Sequence, residues 1–398
     1  MKKRVVVLGS TGSIGKQTLD VIRANPETFH VVGLASGSAV RALAAQIAEF
    51  QPEAAYCVDG SVARHMGAGT QVFSGDDGLT QLIWEVEADV TVVGTPGMVG
   101  ARATMAALER GQDVALANKE TLVMAGGLVM QAAAASGAAV LPTDSEHSAV
   151  WQCLRGENTA AIRRLILAAS GGPFRTASER ELAAVTPAQA LQHPTWSMGA
   201  KITVDSATLL NKGLEIIEAQ WLFGLPLAKI DVVIHPQSIV HALVEFVDGA
   251  VKAQLSHPDM RLPIQHALSY PERLPTHWGG LDFARAPVLE FSEPDAARFP
   301  CLALARQAAE TGGTAPTVLC AADEVAVELF LKGALGFLDI PRLIARALDA
   351  HESAPVESLD HVLTVAAETR QRLMENALGL SVTPAEAGVQ RGEGDGFP

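Results

Sequence analysis

Between Lys3 and Leu141 the chain alternates short β-branched runs with amphipathic stretches: RVVVLG, KQTLDVIRANP, FHVVGLAS, RALAAQIAEFQP, AAYCV, ADVTVVG, TMAALERG, DVALA and AAVLP. The apolar runs are too short for buried helices and rich in valine, and the stretches between them repeat their apolar residues at helical spacing. Such alternation predicts βαβ units, hence a parallel, doubly wound α/β sheet of Rossmann-like form. Sheets of this kind place ligands beyond the carboxyl ends of their strands. The segments that follow each strand are therefore the places to look for chemistry.

The first of these is GSTGSIG, Gly9 to Gly15, between strand RVVVL and helix KQTLDVIRANP. Its GxxGxxG spacing is one residue longer than the commonest dinucleotide fingerprint, but the physics is shared. Glycines let the backbone approach a pyrophosphate, and the helix start offers free N–H groups and a positive dipole end. The bland alternative is a bare glycine turn. At the end of the second strand, LASGSAVR carries no acid for a ribose hydroxyl, while Ser36, Ser38 and Arg41 suit a phosphorylated ribose, so NADP is preferred to NAD. A further strand end carries LANKETLV, with Asn118, Lys119 and Glu120. Read alone, this is a helix N-terminus capped by Asn118 with a surface Lys-Glu pair; beside a cofactor edge it becomes a site.

PTDSEH, residues 142 to 147, follows the run GAAVL with no turn cluster between. Taken as the end of a strand, it points Asp144 and Glu146 to one side, since residues two apart share a face. Either this is a solvated strand end or a cation sits there. Downstream, RRLILAAS reads as a strand, SATLLNKGLEIIEAQWLFG as one helix, and IVHALVEF and AVKAQLSH as a hairpin turning at Asp248 and Gly249. On that helix Leu210, Leu214, Ile217 and Trp221 form the buried stripe. Thr208, Asn211, Lys212 and Glu215 share another face, which on an isolated helix would be solvated. PTDSEH, the glycine turn in ASGGPF, and QHPTWSMG, an apolar and aromatic loop suited to be a lid, give that face partners. Asp144, Glu146 and Glu215 together suit an all-oxygen divalent-cation site.

From Cys301 onward CLALARQAAE, AADEVAVELFLKG, PRLIARALDAH and LDHVLTVAAETRQRLMENA all have helical period, predicting a C-terminal helical bundle. The expected division is an NADP-binding domain at 1–143, an α+β catalytic and dimerisation domain at 144–285, a proline-rich linker at 286–300, helices at 301–380, and a disordered polar, glycine-rich tail at 381–398. A chain of 398 residues with 48% hydrophobic composition can bury two or three cores. Its net charge of -14 disfavours nucleic acid or anionic lipid as partners and suits a cytoplasmic protein, so an anionic substrate needs a local positive patch. The four cysteines, at 57, 153, 301 and 320, lack metal or disulfide spacing and read as reduced, buried thiols. The apolar run near Met1 is too short for a signal peptide, and no stretch is long enough for a membrane span. His147, His235, His241 and His257 read as structural, and Trp196 and Met198 could be core packing in a static loop.

In their order, GSTGSIG, LANKE, PTDSEH, SGGPF, HPTWSMG, VDSATLLNKGLE and HPQSIVHALVEF resemble the motifs of the 1-deoxy-D-xylulose 5-phosphate reductoisomerase family, and FPCLALA with AADEVAV resembles its C-terminal helices. The resemblance implies a homodimeric, NADPH-dependent enzyme of non-mevalonate isoprenoid synthesis that requires Mg or Mn. It implies metal binding by Asp144, Glu146 and Glu215, with Lys119 at the reacting centre. Ser145, Ser170, His193, Ser206, Asn211 and Lys212 would bind the phosphorylated substrate beside Lys119, Glu146 and Glu215. Thr11, Gly12, Ser13, Ile14, Gly37, Ser38, Asn118, Glu120 and Gly199 would contact the cofactor. The chain departs from the family after the second strand, where an asparagine is usual and Ala39 follows Ser38. Two rivals share the first domain: another NADP-dependent dehydrogenase of a phosphorylated or amino-acid-derived aldehyde, and a non-catalytic redox sensor. Neither needs three convergent acids.

Overall fold

Seven parallel strands form the first sheet: β1 (Lys3–Leu8), β2 (Phe29–Ser36), β3 (Ala54–Cys57), β4 (Gln71–Phe73), β5 (Val90–Val93), β6 (Asp113–Leu116) and β7 (Val140–Pro142), in the spatial order β4-β3-β2-β1-β5-β6-β7. The structure is a computed structural model that describes residues 1–65, 69–196, 198–284 and 288–379. Helices cover both faces of the sheet, which is why β1 reads as an unbroken apolar run. Val5 and Val7 enter the hydrophobic cluster on one face, Val6 and Leu8 the cluster on the other, as the two-residue strand period requires. From β1 the chain steps to β2 on one side and later to β5 on the other. The crevice at that reversal is where an open sheet binds a ligand. The segments after β1, β5, β6 and β7 all emerge along this edge.

The second sheet has four strands: β8 (Ile162–Ala169), β9 (Ile230–Ile234), β10 (Val240–Phe246) and β11 (Val251–Leu255), ordered β11-β10-β8-β9. β10 runs antiparallel to β8 and β11, and β9 parallel to β8. The β10–β11 turn falls at Asp248 and Gly249, as the sequence predicts; Gly249 takes φ +86°, a left-handed conformation suited to glycine. Helices Cys301–Thr311, Ala315–Leu331, Asp339–Asp349 and Leu359–Gly379 lie where their period placed them. One continuous core runs from Val6 and Leu116 through Leu165 and Leu214 to Val318 and Phe330. The helical segment is thus packed into the body of the molecule. The tail expected at 381–398 lies outside the described residues, as does part of the expected linker. No helix among the described residues is long and apolar enough to cross a membrane.

Three local expectations need correction. PTDSEH is not a strand end: β7 stops at Pro142, and Asp144 caps the helix Ser145–Leu154 by accepting a hydrogen bond from Ser145 N at 2.8 Å. An aspartate followed by free helix N–H groups favours that cap over continued extension. SATLLNKGLEIIEAQWLFG is not one helix. Ala200–Ala207 and Leu210–Phe223 are separated at Leu209, which sits at φ +62° and is 3% exposed. Trp221 does not complete the buried stripe, being 39% exposed, although its ring lies so close over Gly126 that an added Cβ there would be 2.3 Å from it.

Candidate active site

A cavity of about 1110 Å³ runs along the carboxyl edge of the first sheet and across to the end of β8. Its walls take Ser13 and Ile14 from the glycine loop, Asn118 to Glu120 after β6, Asp144 to Glu146 after β7, Ser170 after β8, then His193, Thr195, Trp196, Met198 and Gly199, and Ser206, Asn211, Lys212 and Glu215 from the broken helix pair. Segments more than 200 residues apart in sequence therefore face one space.

Its centre is a network of buried charges. Carboxylate oxygens of Asp144, Glu146 and Glu215 lie within 4.8 Å of one another. Asp144 and Glu146 reach this point from the cap and first turn of helix Ser145–Leu154, and Glu215 from helix Leu210–Phe223. Lys119 Nζ stands 2.8 Å from Asp144 Oδ2, 3.3 Å from Glu215 Oε1 and 2.6 Å from Asn211 Oδ1. Lys212 Nζ pairs with Glu146 Oε1 at 3.1 Å and with Glu215 Oε2. Asn211 Nδ2 donates to Glu215 Oε1 at 2.6 Å, and Ser145 Oγ to Glu146 Oε2 at 2.7 Å.

Burial alone would lower the Lys119 ammonium, but the charges of Asp144, Glu215 and Glu218 override it and hold its pKa well above the ordinary value. Burial opposes ionisation of Asp144 too, yet Lys119 and His147 hold it below the usual carboxylate range. Glu215 is pushed up, by burial first and then by Glu146. Three carboxylates crowded where one is driven toward protonation form a hard, all-oxygen donor set, which fits a divalent cation.

Next to this network His193 joins two hydroxyls. Its Nδ1 accepts from Thr195 N at 3.1 Å and Trp196 N at 2.9 Å, so the ring proton is on Nε2, which faces Ser170 Oγ at 3.0 Å and Ser206 Oγ at 3.1 Å. Burial lowers the pKa of this ring, in keeping with the neutral tautomer. Gly172, at φ +67°, lets the β8 turn approach Ser206: a Cβ there would lie 2.8 Å from Ser206 O. The break at Leu209 separates the helix bearing Ser206 from the helix bearing Asn211 and Lys212, and all three line the cavity. Left-handed backbone at a buried leucine is the kind of strain found at functional sites.

Sequence comparison now decides the family. Family models match three segments: 1-deoxy-D-xylulose 5-phosphate reductoisomerase over residues 5–126, its C-terminal domain over 140–223, and a DXP reductoisomerase C-terminal domain over 255–372. A 1-deoxy-D-xylulose 5-phosphate reductoisomerase of Pelotomaculum thermopropionicum is 53% identical over 367 residues, spanning 91% of this chain and 95% of that one. The chain belongs to the 1-deoxy-D-xylulose 5-phosphate reductoisomerase family. Another member, from Anaeromyxobacter dehalogenans, is 50% identical over 381 residues, 95% of this chain and 97% of its own. Among solved structures, a reductoisomerase from Zymomonas mobilis in complex with NADPH superposes with a TM-score of 0.89 at 41% identity, covering 95% of this chain and 99% of that one. One in complex with NADPH, fosmidomycin and magnesium gives 0.90 at 40% identity, covering 96% and 99%.

Within this reductoisomerase fold the expected site residues fall into two groups. Lys119, Asp144, Ser145, Glu146, Ser170, His193, Ser206, Asn211, Lys212 and Glu215 all line the one cavity, as do Ser13, Ile14, Asn118, Glu120 and Gly199. Thr11, Gly12, Gly37 and Ser38 are not among its lining residues. Thr11 Oγ1 instead meets Ser36 Oγ at 2.6 Å, joining the glycine loop to the end of β2. The Asn118 side chain is a scaffold: Nδ2 donates to Thr95 O at 2.7 Å and Gly97 O at 2.6 Å, while Oδ1 accepts from Thr121 N at 2.9 Å as helix cap. Lys119 is no surface pair with Glu120, being 5% exposed. Of the histidines expected to be structural, His235 meets Glu290 O at 2.8 Å but also lines the cavity, as does His241, while His257 meets Gly280 O at 3.0 Å.

Sequence reasoning read His147 as structural and passed over its partner Glu218. His147 Nε2 donates to Glu215 O at 2.8 Å, and its Nδ1 faces Glu218 Oε2 at 3.5 Å and Asp144 Oδ2 at 3.9 Å. Burial pushes Glu218 up to about 7, against the pull of His147. Glu218 lies three residues after Glu215, one helical turn on, and that spacing was the only signal of it in the sequence.

Proposed function

We propose that Asp144, Glu146 and Glu215 hold a divalent cation, Mg or Mn, and that Lys119 works at the reacting centre beside them. The chain is an NADPH-dependent oxidoreductase that isomerises and reduces 1-deoxy-D-xylulose 5-phosphate to 2-C-methyl-D-erythritol 4-phosphate, a step of non-mevalonate isoprenoid synthesis. The observation that carries the residue assignment is the convergence of three carboxylates within 4.8 Å, with two buried ammoniums set among them, in the cavity that the glycine loop enters. A cation bound there acts as a Lewis acid on the ketone and adjoining hydroxyl oxygens of the substrate.

The chain's own side chains do the rest. Lys119, whose charge is fixed by Asp144, stabilises a developing oxyanion or passes a proton to it. Ser170, Ser206, Asn211 and Lys212 form the phosphate cradle, with the Nε2 proton of His193 directed into it. Lys212 supplies there the local positive charge that a net-acidic protein needs. Trp196 and Met198, on the loop that carries His193, cover the substrate and exclude water. Ser13, Ile14 and the helix start at Ser13 receive the cofactor pyrophosphate, with Thr11 and Gly12 shaping the turn. Asn118 holds the loops at the nicotinamide end beside Glu120 and Gly199.

The expected division at 1–143, 144–285 and 301–380 is kept as units of function. A cytoplasmic homodimer completes the reading. The dimer is supported by the exposed apolar residues Val247 and Val251 on the β10–β11 hairpin and by Phe283, Val288 and Phe291 in the segment before Cys301, surface suited to a second copy. Incubation with 1-deoxyxylulose 5-phosphate, NADPH and Mg or Mn, with nicotinamide absorbance followed and the product identified, tests the reaction. Asp144→Asn and Glu146→Gln should each abolish turnover and leave NADPH affinity nearly unchanged. Near-normal activity of either variant across metal concentrations would remove that residue from the ligand set.

A further inference from the structure

Lys201 stands at the start of helix Ala200–Ala207, immediately after the loop that carries His193 and Trp196. Its ammonium is 2.5 Å from Asp323 Oδ2, 2.8 Å from Asp205 Oδ2 and 3.4 Å from Glu120 Oε1. Lys201, Asp205 and Glu120 line the cavity, whereas Asp323 is not among its lining residues. Asp323 belongs to helix Ala315–Leu331 and is fully buried. The next residue, Glu324, abuts the loop after β5, where a Cβ on Gly97 would be 2.8 Å from Glu324 Oε1.

Three carboxylates thus surround one ammonium, and Asp205 Oδ1 and Asp323 Oδ1 are buried without a hydrogen-bond partner. Burial, and for Asp205 the neighbouring Asp323, pushes the Asp205 and Asp323 carboxyls up. Lys201 remains charged because Asp205, Asp323 and Glu120 outweigh its own burial. Lys201 is the cation set among Glu120 and Asp205 on this wall, so its loss would take positive charge from the side that faces a cofactor carrying several phosphates.

We propose that Lys201 sets the charge of the cofactor edge of the cavity, and that Asp323, reaching in from the C-terminal helices, is the residue that positions it. The inference rests on reading Glu120 and Gly199 as the cofactor edge. It gives the helical segment a part in cofactor binding although Asp323 is not among the cavity-lining residues. Asp323 acts through Lys201, so its removal matters only while Lys201 is present.

The test is NADPH binding to the full chain, followed by nicotinamide fluorescence, together with steady-state kinetics and thermal midpoints. Lys201→Met should weaken NADPH binding about tenfold, the order expected from losing one partly desolvated charge. The KM for the sugar phosphate should stay within about twofold and kcat at saturating NADPH within about threefold, since cofactor binding and not chemistry is affected. Lys201→Arg should restore most of the affinity. Asp323→Asn, which keeps the side-chain volume, should raise the KM for NADPH but not that for substrate, and should add nothing in a Lys201→Met background. If Lys201→Met does not fold, Lys201→Arg and Asp323→Asn carry the test alone. Unchanged NADPH binding in Lys201→Met would overturn the proposal. So would cofactor and substrate constants shifting together with the thermal midpoint, or additive effects in the double variant. Binding needs no turnover, so a wild-type chain that bound NADPH but left the sugar phosphate unconverted would sink the proposed reaction and leave this inference standing.

Discussion

Replacing Glu215 by glutamine should abolish turnover and yet leave the metal-free fold as stable as before, or more so. Glu215 is 1% exposed and sits with Asp144, Glu146 and Glu218 around the ammoniums of Lys119 and Lys212. Its carboxyl is driven up, by burial first and then by Glu146. A carboxyl raised in the folded state contributes stability only while protonated, and that contribution is lost as pH rises through the folded value. Glutamine keeps the shape and removes the repelled charge. Lys119 retains Asp144 at 2.8 Å and Lys212 retains Glu146 at 3.1 Å, so neither ammonium is orphaned. Replacing a whole buried ion pair with neutral groups is often neutral or stabilising by about 1–4 kcal/mol, and removing one partner is costly when it strands the other charge; since neither ammonium is stranded here, a change near zero is expected. With metal the order reverses. Wild type should gain about 2.7 kcal/mol at a hundredfold excess of cation over its Kd, by mass action, and the variant should lose that increment with its third ligand. The assay is urea unfolding with EDTA and with Mg, beside NADPH oxidation in the presence of substrate. A variant that kept both turnover and Mg-dependent stabilisation would refute Glu215 as a ligand, and one several kcal/mol less stable in EDTA would refute the account of its repulsion.

Arg41→Ala should raise the KM for NADPH about tenfold, the worth of one charge-assisted phosphate contact, and hardly change that for NADH; equal effects on both, measured by initial rates, would remove Arg41 from the site. Trp196→Ala should weaken substrate binding and slow turnover with less than about 1 kcal/mol lost in thermal unfolding, because the ring covers a cavity and is not part of the core; marked destabilisation would make it core packing. Glu218, raised to about 7 from an ordinary 4.5, favours the fold while protonated, and that stability falls as pH rises from about 4.5 through 7. Metal-free Glu218→Gln should therefore show a shallower decline than wild type between pH 5 and 8 in chemical unfolding, and parallel curves would contradict the raised value of this carboxyl in the folded state.

Much of this was legible in the chain itself. The valine runs and helical periods of residues 3 to 141 fixed a parallel sheet, since strand and helix periods are properties of neighbouring residues. Glycines 9 to 15 marked a tight turn between β1 and the next helix because only glycine tolerates that approach: a Cβ at Gly15 would lie 2.3 Å from Gly9 O. The acids at 144, 146 and 215 were visible as residues without an apolar or turn-forming duty. What failed was local geometry at element ends. Asp144 was read as extended because the preceding run was apolar, but an aspartate before free helix N–H groups caps. The continuous helical pattern of residues 205 to 223 hid the break at Leu209, whose conformation no leucine favours and which surrounding packing must impose.

Other roles could not be read locally at all. Glu218 and Asp323 look in sequence like ordinary helix carboxylates, and Lys201 like a surface lysine. Their environments come from strand order, which carries the ends of β6 and β7 to the same edge, and from packing of the C-terminal helices against that edge. Sequence by itself determined the elements and the kinds of chemistry available, because propensity, capping and periodicity act over a few residues. Only the tertiary structure decided which charges meet, because burial and Coulomb energy depend on distances between segments that the chain keeps far apart until it folds.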